Sequence, residues 1–222
     1  MLGTLTLFPT NLIEFTNPRA DQLNPEIIKH LEKERAESPD LPSFSTKGNT
    51  AWHSKDNLAD LDTDWSKGLR QMIIDLSNRY YFALQGGTPL PSEEFLRIKC
   101  WALILGQHSY SNYHTHPNSD VSGVYWVQRP DNMQPNEGRF TVPDPRGGAQ
   151  GSRLEGSSVW YADPKVGTGL VFSSWLPHFV EPHYQPGERI SISWNLFIKD
   201  PPEGTVNIAS SSWRDTNGDN WG

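Results

Sequence analysis

Five of the seven histidines lie between positions 108 and 183, and three of them are placed to share one metal ion. His114 and His116 are two residues apart. On extended backbone, positions i and i+2 point to the same side. Two imidazoles so placed can converge on one ion at ~2.1 Å. A lone His-x-His carries little weight, because surface loops contain such pairs by chance. His178 is the third. It follows the run Leu170 to Pro177, an apolar stretch entering a proline turn, which delivers a side chain at a strand end. Arg189 comes eleven residues later and starts an alternation in which Ile190, Ile192, Trp194, Leu196 and Ile198 take one parity. Arg189, Ser191 and Ser193 take the other and share a face. A cation on an otherwise buried strand needs a partner or costs several kcal/mol (~3–5). The partner is either an internal carboxylate, with Glu181 or Asp144 as candidates, or an anionic ligand such as a carboxylate gripped by the guanidinium fork.

The elements that position these residues divide the chain by period. The first 90 residues read as mainly helical. Asn24-Pro25-Glu26 reads as a helix start, with Asn24 as cap and Pro39 as the limit. A second helix is capped by Thr63 or Asp64, carries Trp65, Leu69, Met72, Ile73, Leu76, Tyr80 and Ala83 at three- and four-residue steps, and stops at Gly86-Gly87. From about Phe95 the period is two. Phe95–Leu105, Val121–Val127, Arg139–Val142, Ser158–Ala162, Thr168–Phe172 and the Arg189 segment read as strands separated by Gly, Pro, Asn and Asp clusters. The fold class expected is mainly β with N-terminal helices, a sandwich, jelly roll or barrel. The expected organisation is one domain over 1–222: a helical part at 1–90, the β core at 91–200 and a polar tail at 201–222.

Composition narrows the function classes. With 26 acidic against 19 basic residues and a net charge of −7, the chain is a poor nucleic-acid ligand. No stretch nears the ~20 apolar residues of a membrane span. The first residues lack a basic leader, and the single cysteine, Cys100, permits no internal disulfide, so a cytoplasmic setting is expected. Cys100 reads as a small buried hydrophobe. His108 and His183 read as solvated loop histidines, while His30 and His53 fall in the helical part. Tyr125, Trp126, Trp160 and Trp175 read as core, although some Tyr and Trp residues can instead wall a pocket. Gly147–Gly151 lacks the Lys-Ser/Thr and helix of a phosphate loop and reads as a flexible loop near the site.

Three blocks taken together resemble a known family. They are His-Thr-His-Pro-Asn-Ser-Asp-Val-Ser-Gly-Val-Tyr-Trp-Val at 114–127, Gly-Leu-Val-Phe-Ser-Ser-Trp-Leu-Pro-His-Phe-Val-Glu-Pro at 169–182 and Glu-Arg-Ile-Ser-Ile-Ser-Trp-Asn at 188–195. In this order they are similar to the iron(II)/2-oxoglutarate-dependent oxygenases of bacteria and their phages. The resemblance implies a double-stranded β-helix, the cupin-like jelly roll, with iron at its open end. It implies His114 and His178 as metal ligands and Arg189, with Ser191 beside it, as the holder of the distal carboxylate of 2-oxoglutarate. The wider superfamily has His-x-Asp or His-x-Glu in the first block; here that third position is His116. Either His116 is the third ligand, or Asp120 or Asp144 supplies a carboxylate, or water fills the position. Proximity to His114 favours His116.

The function so implied is hydroxylation of a small-molecule or peptide substrate, with release of succinate and CO2. Two alternatives stand beside it: a jelly-roll metalloenzyme that does not use 2-oxoglutarate, such as a three-histidine dioxygenase or an isomerase, and a non-catalytic jelly-roll binding or structural protein. Arg189 separates the first, which has no obligatory use for a cation there. Metal content and succinate release separate the second.

Overall fold

The computed structural model describes residues 8–38, 46–47, 50–147 and 158–199. In chain order the elements are β1 (Leu12–Thr16), α1 (Ala20–Glu37), β2 (Thr46–Lys47), β3 (Ala51–His53), α2 (Asp64–Leu84), β4 (Leu96–Gly106), β5 (Tyr110–His114), β6 (Val121–Gln128), β7 (Phe140–Pro143), β8 (Val159–Ala162), β9 (Thr168–Ser173), β10 (His178–Val180) and β11 (Glu188–Ile198). They build two antiparallel sheets, ordered β1-β9-β6-β11-β4-β3 and β2-β5-β10-β7-β8. The inner faces of the sheets meet through Val124, Trp126, Leu170 and Phe172 of the first and Phe140 and Val142 of the second. This is the expected jelly roll with helices outside it.

Strand β11 is the spine. It pairs with β4 along its whole length and with β6 from Ile190 to Leu196. Its alternation sorts two environments. Ile190, Ile192, Trp194 and Leu196 join Ile27 and Leu31 of α1 and Leu69, Ile73 and Tyr80 of α2 in one buried cluster. Arg189, Ser191 and Ser193 face the space between the sheets, where they line a cavity. Cys100, opposite Trp194 on β4, is fully buried in the helix-side cluster, and burial pushes its thiol far above its ordinary range. It is the small hydrophobe expected.

Gly123 shows why that spine tolerates no side chain beside Trp194. A Cβ on Gly123 would sit 2.1 Å from Trp194 Cζ2. The indole therefore lies flat against bare backbone, a close approach only glycine permits.

Several local readings are corrected by tertiary contacts. The first 90 residues are not only helical: β1 completes one edge of the larger sheet against β9, and β3 completes the other against β4. Helix α1 starts at Ala20, so Asn24 and Pro25 lie inside it. Asn24 does not cap. Its amide donates to the Val127 carbonyl at 3.0 Å and accepts from the Tyr125 hydroxyl at 2.6 Å. Asn17 instead receives the Arg19 N–H at the entry to the helix and contacts the same hydroxyl through its amide. Helix α2 follows the sequence reading closely, with the Thr63 hydroxyl accepting from Ser66 N–H and Gly86 and Gly87 both at positive φ beyond its end. Tyr125 and Trp126 are core, but Trp160 and Trp175 are exposed, because β8 is a sheet edge and Trp175 sits in the turn before β10. No described helix is long and apolar enough to cross a membrane. The loop at 148–151 and the tail at 201–222 lie outside the described residues.

Candidate metal centre

A β-bulge organises the site. His114 on β5 pairs with His178 on β10, and Ser111 pairs with Val180. Two steps along β10 thus match three along β5, so β5 carries one extra residue. The bulge turns Ser111 and His114, three apart, to the same side, where strict alternation would oppose them. His116 lies past the end of β5 rather than on it, held by its N–H to the Ser174 carbonyl at 2.9 Å. The convergence read from i, i+2 spacing is thus made by a strand end and a loop. Phe172 and Phe140 back His178, with ring centroids at 5.0 and 4.7 Å.

The three histidines bring one donor nitrogen each within 4.8 Å of one another, and they form the sole such His/Cys/Asp/Glu group found among the described residues. The His116 and His178 Nε2 atoms are 3.3 Å apart. Two ligands ~2.1 Å from one ion can span that separation. The other ring nitrogens are committed. His114 Nδ1 is 2.6 Å from the Asn112 carbonyl oxygen, and His178 Nδ1 is 2.9 Å from that of Leu176. A nitrogen facing a carbonyl must carry the proton, so each Nε2 presents a lone pair. This backbone support is the usual device that fixes a metal-binding tautomer.

Electrostatics agree with that tautomer. Burial, then the neighbouring His114, pushes the His116 ring down to about 3. Burial first, then both partner histidines, holds His178 well below its ordinary value. Burial lowers His114 as well, against the hydrogen bond to Asn112. At neutral pH the cluster is three uncharged imidazoles with their ring nitrogens close together, a group that could hold a metal ion.

Arg189 lines the same cavity, of about 230 Å³. It is 1 % exposed. Its Nη1 reaches the Ser191 hydroxyl at a long 3.4 Å, while Nε and Nη2 have no partner. Burial pulls it down to about 10, so it stays charged near pH 7. Neither internal carboxylate considered from sequence neutralises it. Glu181 holds Arg139 at 3.0 Å, and Asp144 holds Arg146 at 2.7 Å. A buried guanidinium with unused donors suits an anionic ligand. The Asp120 carboxylate accepts the Ile198 N–H at 2.7 Å at the end of β11, and neither it nor Asp144 stands with the three histidines.

Other histidines are redistributed. His183 is not solvated: it is 1 % exposed, with Nε2 and Nδ1 each 3.0 Å from a carbonyl oxygen, of Leu105 and Gln185. His53 is on a strand, stacks on Trp101 at 5.8 Å, and lines the cavity with it. His108 packs edge-on against Tyr184 away from the cavity lining. Trp101, His53 and Ser111 are among the cavity residues that sequence reasoning missed. Trp101 had a signal, since its parity on β4 matches that of Ser193 opposite it. Ser111 had none, because a bulge leaves no mark in a period of two.

Residues 99–195 match the model of the family described as "Putative 2OG-Fe(II) oxygenase". This segment carries a 2OG-Fe(II) oxygenase fold. The matched segment runs from β4 through most of β11 and includes all three histidines, Arg189 and Ser191. No curated protein sequence matches the chain. Among solved structures, a Pseudomonas putida prolyl-4-hydroxylase superposes with a TM-score of 0.59 at 16% identity, over 86% of this chain and 94% of that one. A Trichoplax adhaerens prolyl hydroxylase, in complex with a hypoxia inducible factor oxygen degradation domain peptide fragment, gives 0.58 at 14% identity over 84% and 83%. HygX from Streptomyces hygroscopicus, with nickel and 2-oxoglutarate bound, gives 0.56 at 12% identity over 85% and 83%. At these identities the likeness is one of fold.

Proposed function

We propose that this chain is an iron(II)- and 2-oxoglutarate-dependent dioxygenase that hydroxylates a C–H bond of a small-molecule or peptide substrate. The observation that carries the reading is the sharing of one cavity by three uncharged imidazoles and an unpaired buried guanidinium. The donor set fits iron(II): His114, His116 and His178 bring their ring nitrogens together, the His114 and His178 tautomers are fixed by backbone hydrogen bonds, and the cluster holds no carboxylate. Iron(II) held there would supply the oxygen chemistry, in which O2 and 2-oxoglutarate give succinate, CO2 and one hydroxyl group on the substrate.

The chain's own groups do the positioning. The Arg189 fork takes the distal carboxylate of 2-oxoglutarate by two charge-assisted hydrogen bonds, and Ser191 stands beside it on the same strand face. Phe140 and Phe172 keep water from the His178 side of the cluster. His53 and Trp101, both partly exposed, form the more open wall. A peptide or small-molecule substrate entering there meets the cluster beside His116, whose ring lies 5.9 Å from Trp101. A metalloenzyme of the same roll that makes no use of 2-oxoglutarate leaves the Arg189 charge without a purpose, and is the poorer reading.

Anaerobic titration with iron(II) and 2-oxoglutarate tests this. A visible charge-transfer band that needs both components is expected, as is succinate release in air. Arg189→Ala should still bind iron(II) yet need far more 2-oxoglutarate. Losing a desolvated charge pair costs ~2–5 kcal/mol, or roughly 30- to 5,000-fold in affinity. Arg189→Lys should not be silent, because a point charge replaces a planar fork. An unchanged 2-oxoglutarate requirement in Arg189→Ala removes Arg189 from the site and leaves the non-oxygenase reading as the better one.

A further inference from the structure

We infer that Ser111 is a further 2-oxoglutarate-binding residue, its hydroxyl serving the distal carboxylate from the sheet opposite Arg189; this rests on the reading above. Ser111 is 1 % exposed and lines the cavity, and its Oγ has no hydrogen-bond partner. A buried hydroxyl left unpaired costs ~1–3 kcal/mol, so an orphan of this kind asks for an explanation. The bulge in β5 supplies half of it. Without the extra residue, Ser111 would point to the outer face of its sheet. With it, Ser111 joins His114, His178 and Val180 on the inner face. Bulges beside active sites commonly re-aim one side chain in this way.

The position along the roll supplies the rest. Ser111 is level with Val180, two residues along β10 from His178. At ~3.3 Å per residue that is ~6–7 Å below the metal cluster, about the length of a five-carbon diacid. The stem of Arg189 lies two residues further along the same direction, on the side of Ser111 away from the histidines. A Cβ on Gly138 would be 3.4 Å from Arg189 Cδ, and Gly138 N–H donates to the Pro182 carbonyl at 3.1 Å, just beyond the end of β10. Arg189 and Ser111 therefore approach the deep end of one cavity from opposite sheets. They do not bond to each other, and both carry unused hydrogen-bonding atoms. A carboxylate has two oxygens with about four acceptor sites. The fork of Arg189 fills two, and a hydroxyl from across the cavity fills a third.

The test is calorimetric titration of 2-oxoglutarate into manganese(II)-loaded protein under nitrogen, for the natural chain, Ser111→Ala, Ser111→Thr and Arg189→Ala. Ser111→Ala should weaken 2-oxoglutarate binding about 10-fold or more, as for loss of one hydrogen bond to a charged group. Ser111→Thr, which keeps the hydroxyl, should recover most of it. Manganese affinity should be unchanged. The ligand-free Ser111→Ala protein should melt no lower than the natural chain, since an unpaired hydroxyl is removed; a merely structural serine would lower it. If Arg189→Ala weakens binding and Ser111→Ala does not, the inference about Ser111 is overturned while the oxygenase reading stands. If neither variant changes 2-oxoglutarate binding, that reading falls as well. Loss of manganese affinity in Ser111→Ala would place its role at the metal and also overturn the inference.

Discussion

His178 sits directly opposite His114 across the β5–β10 ladder, with their ring centroids 4.4 Å apart. Facing residues of an antiparallel pair point to one side of the sheet, so the pairing register itself brings two imidazoles together. His116, pinned to the Ser174 carbonyl from the adjoining loop, completes the group. The cluster therefore depends on backbone register, which stays in place when a single side chain is changed.

That dependence gives a clean expectation for metal binding. One iron(II) should bind per chain. His178→Ala should abolish tight binding, because His178 is the most enclosed of the three and its neighbours stay in place. His116→Ala should weaken binding strongly. Equilibrium dialysis with iron(II) under anaerobic conditions measures both. Full affinity and activity in His116→Ala would exclude the three-histidine assignment and leave His114 and His178 as the protein's ligands.

The metal-free protein should lose stability as pH falls below about 6.5. In the unfolded chain the three histidines titrate near that value. In the folded chain burial holds all three lower, with His116 at about 3. Below pH ~6.5 the unfolded state thus binds more protons, and folding weakens progressively toward the folded value. Above pH 7 the effect vanishes. Urea unfolding at pH 7.5 and 5.5 measures it, and His116→Gln should show a shallower loss. Identical losses in the two proteins would rule out His116 as a source.

Gly123→Ala should destabilise the roll. Its new methyl would collide with the Trp194 indole, which is fully enclosed by the helix-side core. Overpacking of this kind costs ~1–3 kcal/mol. A smaller ring at 194 relieves the contact, so Trp194→Phe should cost less in the Gly123→Ala background than alone. Denaturant midpoints for the four proteins of this cycle give the coupling; strict additivity would mean the two positions do not touch.

Tyr125→Phe should loosen α1 from the sheet. The phenol donates to Asn24 at 2.6 Å and lies 3.2 Å from the Asn17 amide. Its loss leaves two buried amides short of a partner, at about 1–3 kcal/mol. Hydrogen exchange should quicken in residues 17–27 more than in β4. Unchanged exchange in α1 would show that apolar packing alone holds the helix.

The alternation at 189–198, the period of α2 and the spacing of His114, His116, His178 and Arg189 were legible from the sequence by itself, because each is a local repeat or a short interval that backbone geometry converts directly into a face or an end. What only the tertiary structure decided was every property set by a distant partner. Asn24 has the chemistry of a helix cap, yet Tyr125 and Val127, about a hundred residues away, engage its amide inside the helix. His183 looks like a turn residue but is buried against the Leu105 carbonyl. Glu181 and Asp144 are plausible partners for Arg189 by charge, yet the fold hands them to Arg139 and Arg146. Ser111 faces the cavity because one extra residue in β5 shifts its pairing with β10. A bulge belongs to two strands at once, and neither strand's own sequence contains it.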